Sequence, residues 1–200
     1  MSDVSSLLSE LRQPDPMDWD KYQGAGESTY APPPVPKDSE GKALLFRGIA
    51  PPSFQFDKTD EGYLQVLLDP ITIVGGGSNG YVIRFTRASV KKFKSRSTGA
   101  EINASMLGNY LRSVDKNLRP GTNAEYIRAV EYTANRQFNF TADWDAYDSQ
   151  GSRSLAEKYE DFPLRDASNP SAGRQAWIDL PDGRRIFARL RIKQFRAGTE

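Results

Sequence analysis

Ile186-Phe187-Ala188-Arg189-Leu190-Arg191-Ile192-Lys193-Gln194-Phe195 sorts into two faces at a period of two, which predicts a strand. Ile186, Ala188, Leu190 and Ile192 form an apolar face. Phe187, Arg189, Arg191, Lys193 and Phe195 form the other, cations interleaved with rings, the composition of a surface that holds phosphates while its rings stack on bases. The competing reading is an amphipathic strand whose charged side is solvated and whose two Phe rings belong to a second small core.

Working outward, Trp177 to Leu180, a Pro181-Asp182-Gly183 turn and this strand form a closing hairpin. Arg136 to Trp144 also alternates, with Phe138, Phe140, Ala142 and Trp144 predicted inside and Gln137, Asn139, Thr141 and Asp143 outside. Earlier, Tyr63 to Val74 reads as a strand region bent at Asp69-Pro70. A flexible Gly75 to Gly80 turn leads into Tyr81 to Arg87, where Tyr81, Ile83 and Phe85 share a face. Between these strand groups, Ala104 to Val114 and Asn123 to Ala134 have helical spacing, and Thr122 with Glu125 suits a capping box. The polar stretch Asp145 to Ala176 reads as a long excursion. The fold class is therefore mainly β with a helical insertion (β or α+β).

The first 42 residues read as a separate arm, and residues 43–200 as the body. Val4, Leu7, Leu8 and Leu11 fall at helical spacing, with Pro14 as a stop. So short a helix either docks on the body or folds on a partner, for which Leu7, Leu8 and Leu11 are the candidate contacts. Residues 13–42, rich in Pro, Gly, Ser and acids, read as an extended linker with little fixed structure.

Net charge of +1 hides a segregation. Residues 1–40 carry eight acids against three bases, whereas 81–136 carry eleven bases against four acids and 183–196 six bases and no acid. An acidic arm beside a basic body is expected to compete for the body's ligand. Cys and His are absent, which removes disulfides, thiolate nucleophiles, zinc ribbons and His general bases. No catalytic residues, metal or cofactor are expected. The Gly75–Gly80 run lacks the Gly-Lys-Ser/Thr ending of a phosphate loop. Asp143, Asp145 and Asp148 could hold a divalent cation in a nuclease, against the plainer reading of a solvated strand end. No apolar run approaches a membrane span and no leader pattern is visible, so a cytoplasmic location is expected.

The second basic and aromatic run is Arg84, Phe85, Arg87, Lys91, Lys92, Phe93, Lys94 and Arg96. Arg84, Arg87, Lys91, Lys92, Lys94, Arg96, Arg189, Arg191 and Lys193 are the candidate phosphate contacts, and Phe93, Phe187 and Phe195 the candidate stacking rings. The alternative is a charged loop beside an edge strand.

The order of strand, Gly-rich turn, strand, helical insertion and further strands is similar to the five-stranded oligonucleotide-binding barrel, with its helix between the third and fourth strands. The run Ser105-Met106-Leu107-Gly108-Asn109-Tyr110-Leu111-Arg112-Ser113, followed by Asn139 to Tyr147 with Asp143-Trp144, resembles bacteriophage single-stranded-DNA-binding proteins over about residues 45–195. The resemblance implies a non-catalytic, largely sequence-independent binder of single-stranded DNA in phage replication or recombination, acting in the host cytoplasm. Such proteins commonly recruit replication partners through an acidic C-terminal tail. Here the acidic N-terminal arm is the candidate for that contact. A virion or adaptor protein that binds partners through the arm is the alternative.

Overall fold

The computed structural model describes residues 4–22, 44–74, 80–168, 170 and 174–197. The described residues are mainly strand, with three α-helices, and fall into two compact units. The first is drawn from residues 4–22, 45–141 and 192–197, the second chiefly from 142–191. Along the chain the first unit holds α1 (Val4–Glu10), β1 (Phe46–Ile49), β2 (Gln55–Lys58), β3 (Leu64–Leu68), β4 (Ile71–Val74), β5 (Val82–Ile83), β6 (Thr86–Ser89), β7 (Lys92–Lys94), β8 (Glu101–Ser105), α2 (Met106–Val114) and α3 (Asn123–Tyr132). Two long strands, β9 (Gln137–Tyr147) and β11 (Arg185–Arg196), each contribute to both units, and β10 (Trp177–Asp179) lies in the second.

In the first unit β1 pairs antiparallel with both β4 and β9, so that Gly48 lies opposite Ile73 on one side and Phe138 on the other. A Cβ at Gly48 would fall 2.9 Å from the Phe140 ring and 3.0 Å from Ile71, so only glycine admits the rings this close. The expected bend at Asp69-Pro70 separates β3 from β4, and the chain facing it breaks as well. Leu68 pairs with Thr86 and Ile71 with Ile83, which leaves Asp69-Pro70 facing Arg84-Phe85. At this double break the hairpin leaves the β2–β3–β6 sheet and joins the one containing β4 and β5. Pro70 has no N–H to give a ladder. Phe85 adopts a φ of 59°, unusual for a residue with a Cβ. Arg84 Nε sits 2.8 Å from Asp69 Oδ1, an ion pair across the break. The single strand expected over Tyr81 to Arg87 is thus two short ones, with Ile83 buried and Phe85 56% exposed instead of sharing its face. Gly75 to Asn79 of the expected turn lie outside the described residues.

The helices form where their spacing places them. Ser105 Oγ caps α2 by accepting from Gly108 N at 3.0 Å. Thr122 and Glu125 complete the capping box of α3, and the backbone N–H groups of Gly121 and Thr122 hold the Glu125 carboxyl below its ordinary range. Leu107, Tyr110, Leu111, Tyr126, Ile127 and Val130 are buried, as the periodicity predicts.

The N-terminal segment departs from expectation. Leu11 is buried, and residues 13–22, expected as part of a loose linker, are held with Arg12 along the first unit. Arg12 N donates to Gly62 O at 2.9 Å, Asn123 Nδ2 to Arg12 O at 2.8 Å, and Trp19 Nε1 to Pro120 O at 3.0 Å. Tyr22 stacks on Trp19 at 4.9 Å, and its hydroxyl donates to Asn109 Oδ1 at 2.6 Å while resting over Gly108. The acids are engaged as well: Glu10 pairs with Lys58, Asp20 with Arg119, and Asp15 accepts from the Tyr63 hydroxyl. The segment docks because aromatic side chains among its acids supply the apolar area that composition averages hide. Leu7 and Leu8 are half-buried. Residues 23–42, the rest of the expected linker, lie outside the described residues.

In the second unit β10, β11 and β9 are neighbours in that order. Ala146, Phe162 and Ile186 are its core, flanked by Tyr159, Ile178, Leu180 and Ala188. Phe162 comes from the polar excursion, delivered by a 3-10 turn at Tyr159–Asp161 and fixed by Arg174 Nη1 donating to its carbonyl at 2.6 Å. Trp144 is half-buried and stacks on Tyr159 at 5.1 Å, so it packs beside this core rather than within one. Thr141 and Asp143, expected outside, are buried, because β9 is covered on both faces over its middle residues.

Phe195 is not on an outward face. It is 2% exposed and packs against Tyr110 and Phe138, with ring centroids 5.2 and 5.6 Å away. Buried positions run Ile186, Leu190, Ile192 and then Phe195, so the alternation shifts phase near the end of β11, where the strand enters the first unit. Phe195→Ala is expected to cost about 3–5 kcal/mol, like Phe138→Ala, whereas half-buried Phe187→Ala should cost well under half of that, read by urea denaturation. Gly108→Ala should displace Tyr22 and release residues 12–22 to limited proteolysis while the far-UV spectrum of the body is retained, because the new Cβ would lie 2.6 Å from the Tyr22 hydroxyl.

Candidate nucleic-acid interface

The face of β11 opposite the second unit's core carries Arg185, Phe187, Arg189 and Arg191. The hairpin register sets Trp177 directly across from Phe187, and Asp179 across from Arg185. Arg185 binds Asp179 with two bonds, Nε at 2.7 Å and Nη2 at 3.1 Å, and its guanidinium lies 5.5 Å from the Trp177 ring centroid. Those bonds hold the Asp179 carboxyl below its ordinary range. Trp177 is 49% exposed.

At the other end of this face, Arg189 lies over the Tyr147 ring at 5.8 Å. Arg191 Nε bonds Asp145 Oδ2, and Arg153 reaches the same carboxylate with Nε at 3.2 Å and Nη2 at 3.3 Å. Arg153 is brought there by a turn in which Asp148 Oδ1 accepts from the N–H groups of Gln150 and Ser152 and Gly151 takes a φ of 82°. An isolated bridge then seats Arg153 beside Tyr147. Burial raises the Tyr147 hydroxyl above its ordinary pKa, so the ring stays neutral throughout the working range. The result is three rings (Trp177, Phe187, Tyr147) interleaved with four arginines (185, 189, 191, 153) and two carboxylates. Chemically it can stack planar groups and hold phosphates between guanidinium forks.

The alternative metal site does not assemble. Asp143 Oδ1 accepts from Trp144 N at 3.0 Å, Asp145 is shared by two arginines, and Asp148 closes its turn. Among the described residues no three carboxylates converge.

The second basic run belongs to the first unit. Arg84, Arg87, Lys94 and Arg96 are exposed, and Phe93 is 39% exposed on β7. Lys91 pairs with Glu61 at 2.6 Å, and Lys92 with Glu101 at 3.4 Å across the β7–β8 hairpin, where the Lys92 side chain is only 11% exposed. This run is therefore part strand rather than a loop. Of the predicted face of β11, Phe187, Arg189 and Arg191 fall in the second unit, while half-buried Lys193 and buried Phe195 fall in the first.

Trp177, Tyr147, Arg153 and Arg185 are absent from the sequence-based candidates. Counting back through the Pro181-Asp182-Gly183 turn would have set Trp177 opposite Phe187. For Tyr147 no local signal exists, since the β9–β11 pairing is written in no motif, whereas Asp148 and Gly151, at the first and fourth positions of a tight turn, are a local sign that the chain folds Arg153 back toward Tyr147.

No protein-family model matches the chain, and no curated protein and no solved structure matches it. No helix among the described residues is long and apolar enough to cross a membrane. Trp177→Ala is expected to weaken oligo(dT) binding by about 1–3 kcal/mol with little effect on the unfolding midpoint, measured by fluorescence anisotropy and urea denaturation.

Proposed function

We propose that this protein binds single-stranded DNA without catalysing a reaction on it, with little sequence preference. The observation that carries this reading is the face of β10 and β11 on which Trp177 and Phe187 pair across the hairpin among Arg185, Arg189 and Arg191. Rings accept any base, and arginines engage a backbone common to every sequence, so such a face selects single strands whose bases are free to stack. The exposed cations of the other unit, with Phe93 between Lys92 and Lys94, add a second stretch of the same chemistry.

The resemblance of Ser105 to Ser113 and Asn139 to Tyr147 to phage single-stranded-DNA-binding proteins gives the proposed setting, phage DNA replication or recombination in the host cytoplasm. On this reading the fold is a variant of the oligonucleotide-binding barrel. The order of elements supports it, since α2 and α3 separate the early strands from β9 and β11. A partner in replication or recombination would engage the N-terminal segment through half-buried Leu7 and Leu8, while Leu11 is committed to the core.

The test is a titration with oligo(dT) and with a matched duplex at several salt concentrations. Tighter binding of oligo(dT), falling with salt as counterions are released, is the expected outcome. Equal affinity for duplex and single strand, or no binding at low salt, would overturn the reading.

A further inference from the structure

A cleft of about 480 Å³ opens in the first unit where α2 ends and α3 gives way to β9. Arg112, Lys116, Tyr132, Arg136 and Gln137 line it, with Asp115 as the acid on its wall. The chain leaves α3 through Asn135, whose φ of 59° turns it sharply. Arg136 is thereby laid back over the preceding helix. Its guanidinium lies 3.8 Å from the centroid of the Tyr132 ring, and its Nε donates to Tyr132 O at 2.8 Å. Tyr132 is nonetheless 45% exposed.

The two arginines differ in what occupies them. Arg112 Nη1 donates to Lys116 O at 2.8 Å, and the guanidinium lies 5.3 Å from the Tyr22 ring, so helix-end capping and the docked N-terminal segment account for part of it. Arg136 is fixed through Nε and its flat face alone, which leaves Nη1 and Nη2 pointing no bond at any described group. A guanidinium held rigid with its fork unspent is preorganised for a bidentate oxyanion. The cleft's volume lies within the range of sites for small organic ligands and exceeds what a bare phosphate fills. An exposed ring stacked with a guanidinium beside that fork is a platform for a planar group.

We propose that this cleft is a binding site for one phosphorylated nucleotide unit, with the phosphate between Arg112 and Arg136 and the base against the Tyr132–Arg136 stack. The site goes beyond the single-strand reading and stands whether or not that reading holds. Two sources share this chemistry, a free nucleotide and a nucleotide within a strand.

The experiment titrates the whole protein with thymidine 5′-monophosphate, thymidine and inorganic phosphate by calorimetry. The monophosphate should bind at least tenfold more tightly than either fragment, and Arg136→Gln and Tyr132→Leu should each weaken it at least fivefold. No binding of the monophosphate, equal binding of a fragment, or undiminished binding by both variants would overturn the site. An oligo(dT) titration of Arg136→Gln then identifies the source. A parallel loss of oligo(dT) affinity assigns the site to a nucleotide within a strand, and unchanged oligo(dT) affinity assigns it to a free nucleotide. Failure of wild-type protein to bind oligo(dT) would sink the single-strand reading while the monophosphate titration still decides the cleft.

Discussion

Phe138 is the contact on which the first unit turns. Its ring meets Tyr110 of α2 at 5.3 Å, Phe140 of its own strand at 5.6 Å and Phe195 of β11 at 5.6 Å. Edge and tilted geometries of this kind add to the area they bury. Tyr110 carries a hydroxyl into this apolar setting, and its burial is tolerated because Thr133 Oγ1 lies 2.6 Å away and itself donates to Val130 O. One aromatic cluster thus ties α2, the end of α3, β9 and β11 together. Gly48 belongs to the same arrangement, since the approach of β1 to these rings leaves no room for a Cβ.

That cluster explains why β11 could not keep one alternation from end to end. Over Ile186 to Leu190 the strand has only the second unit's small core to satisfy, and odd-numbered positions face away from it. Past Ile192 it serves the first unit, whose rings need Phe195. A strand shared by two cores obeys whichever is nearer. The cations of the run are therefore divided, and the face proposed for nucleic acid is shorter along β11 than periodicity suggests. It regains width from Trp177 across the hairpin and from Tyr147 and Arg153.

What was legible followed from local chemistry. The capping box at Thr122, the helical stripes through Leu107 and Tyr126, the bend at Asp69-Pro70 and the hairpin at Gly183 all depend on residues within a few positions of one another. What was hidden needed distant partners. Phe85 turns outward because Pro70, fifteen positions earlier, breaks the strand that its own would have paired with. Residues 13–22 read as linker because their acids dominate the count, yet Trp19 and Tyr22 find Pro120 and Asn109, contacts no window over the segment contains. Asp145 looked like a solvated acid because both arginines that claim it come from other segments of the chain.

The paired cations of the candidate interface are of two kinds, and the distinction decides what a phosphate would meet. Arg185 and Asp179 are both about half exposed, so solvent screens their attraction and a phosphate would take the carboxylate's place at small cost. Asp145 is different. Its side chain is only 10% exposed, and stripping away its arginines would leave a poorly hydrated carboxylate without compensation. It therefore acts as an anchor that fixes Arg153 and Arg191 side by side, one negative charge against two positive. Among the described groups Arg191 is bonded to Asp145 through Nε, and on the proposed reading the surplus positive charge would draw an oxyanion. Arginines already ordered in this way would give up less side-chain freedom on meeting a ligand than the same residues on a solvated strand.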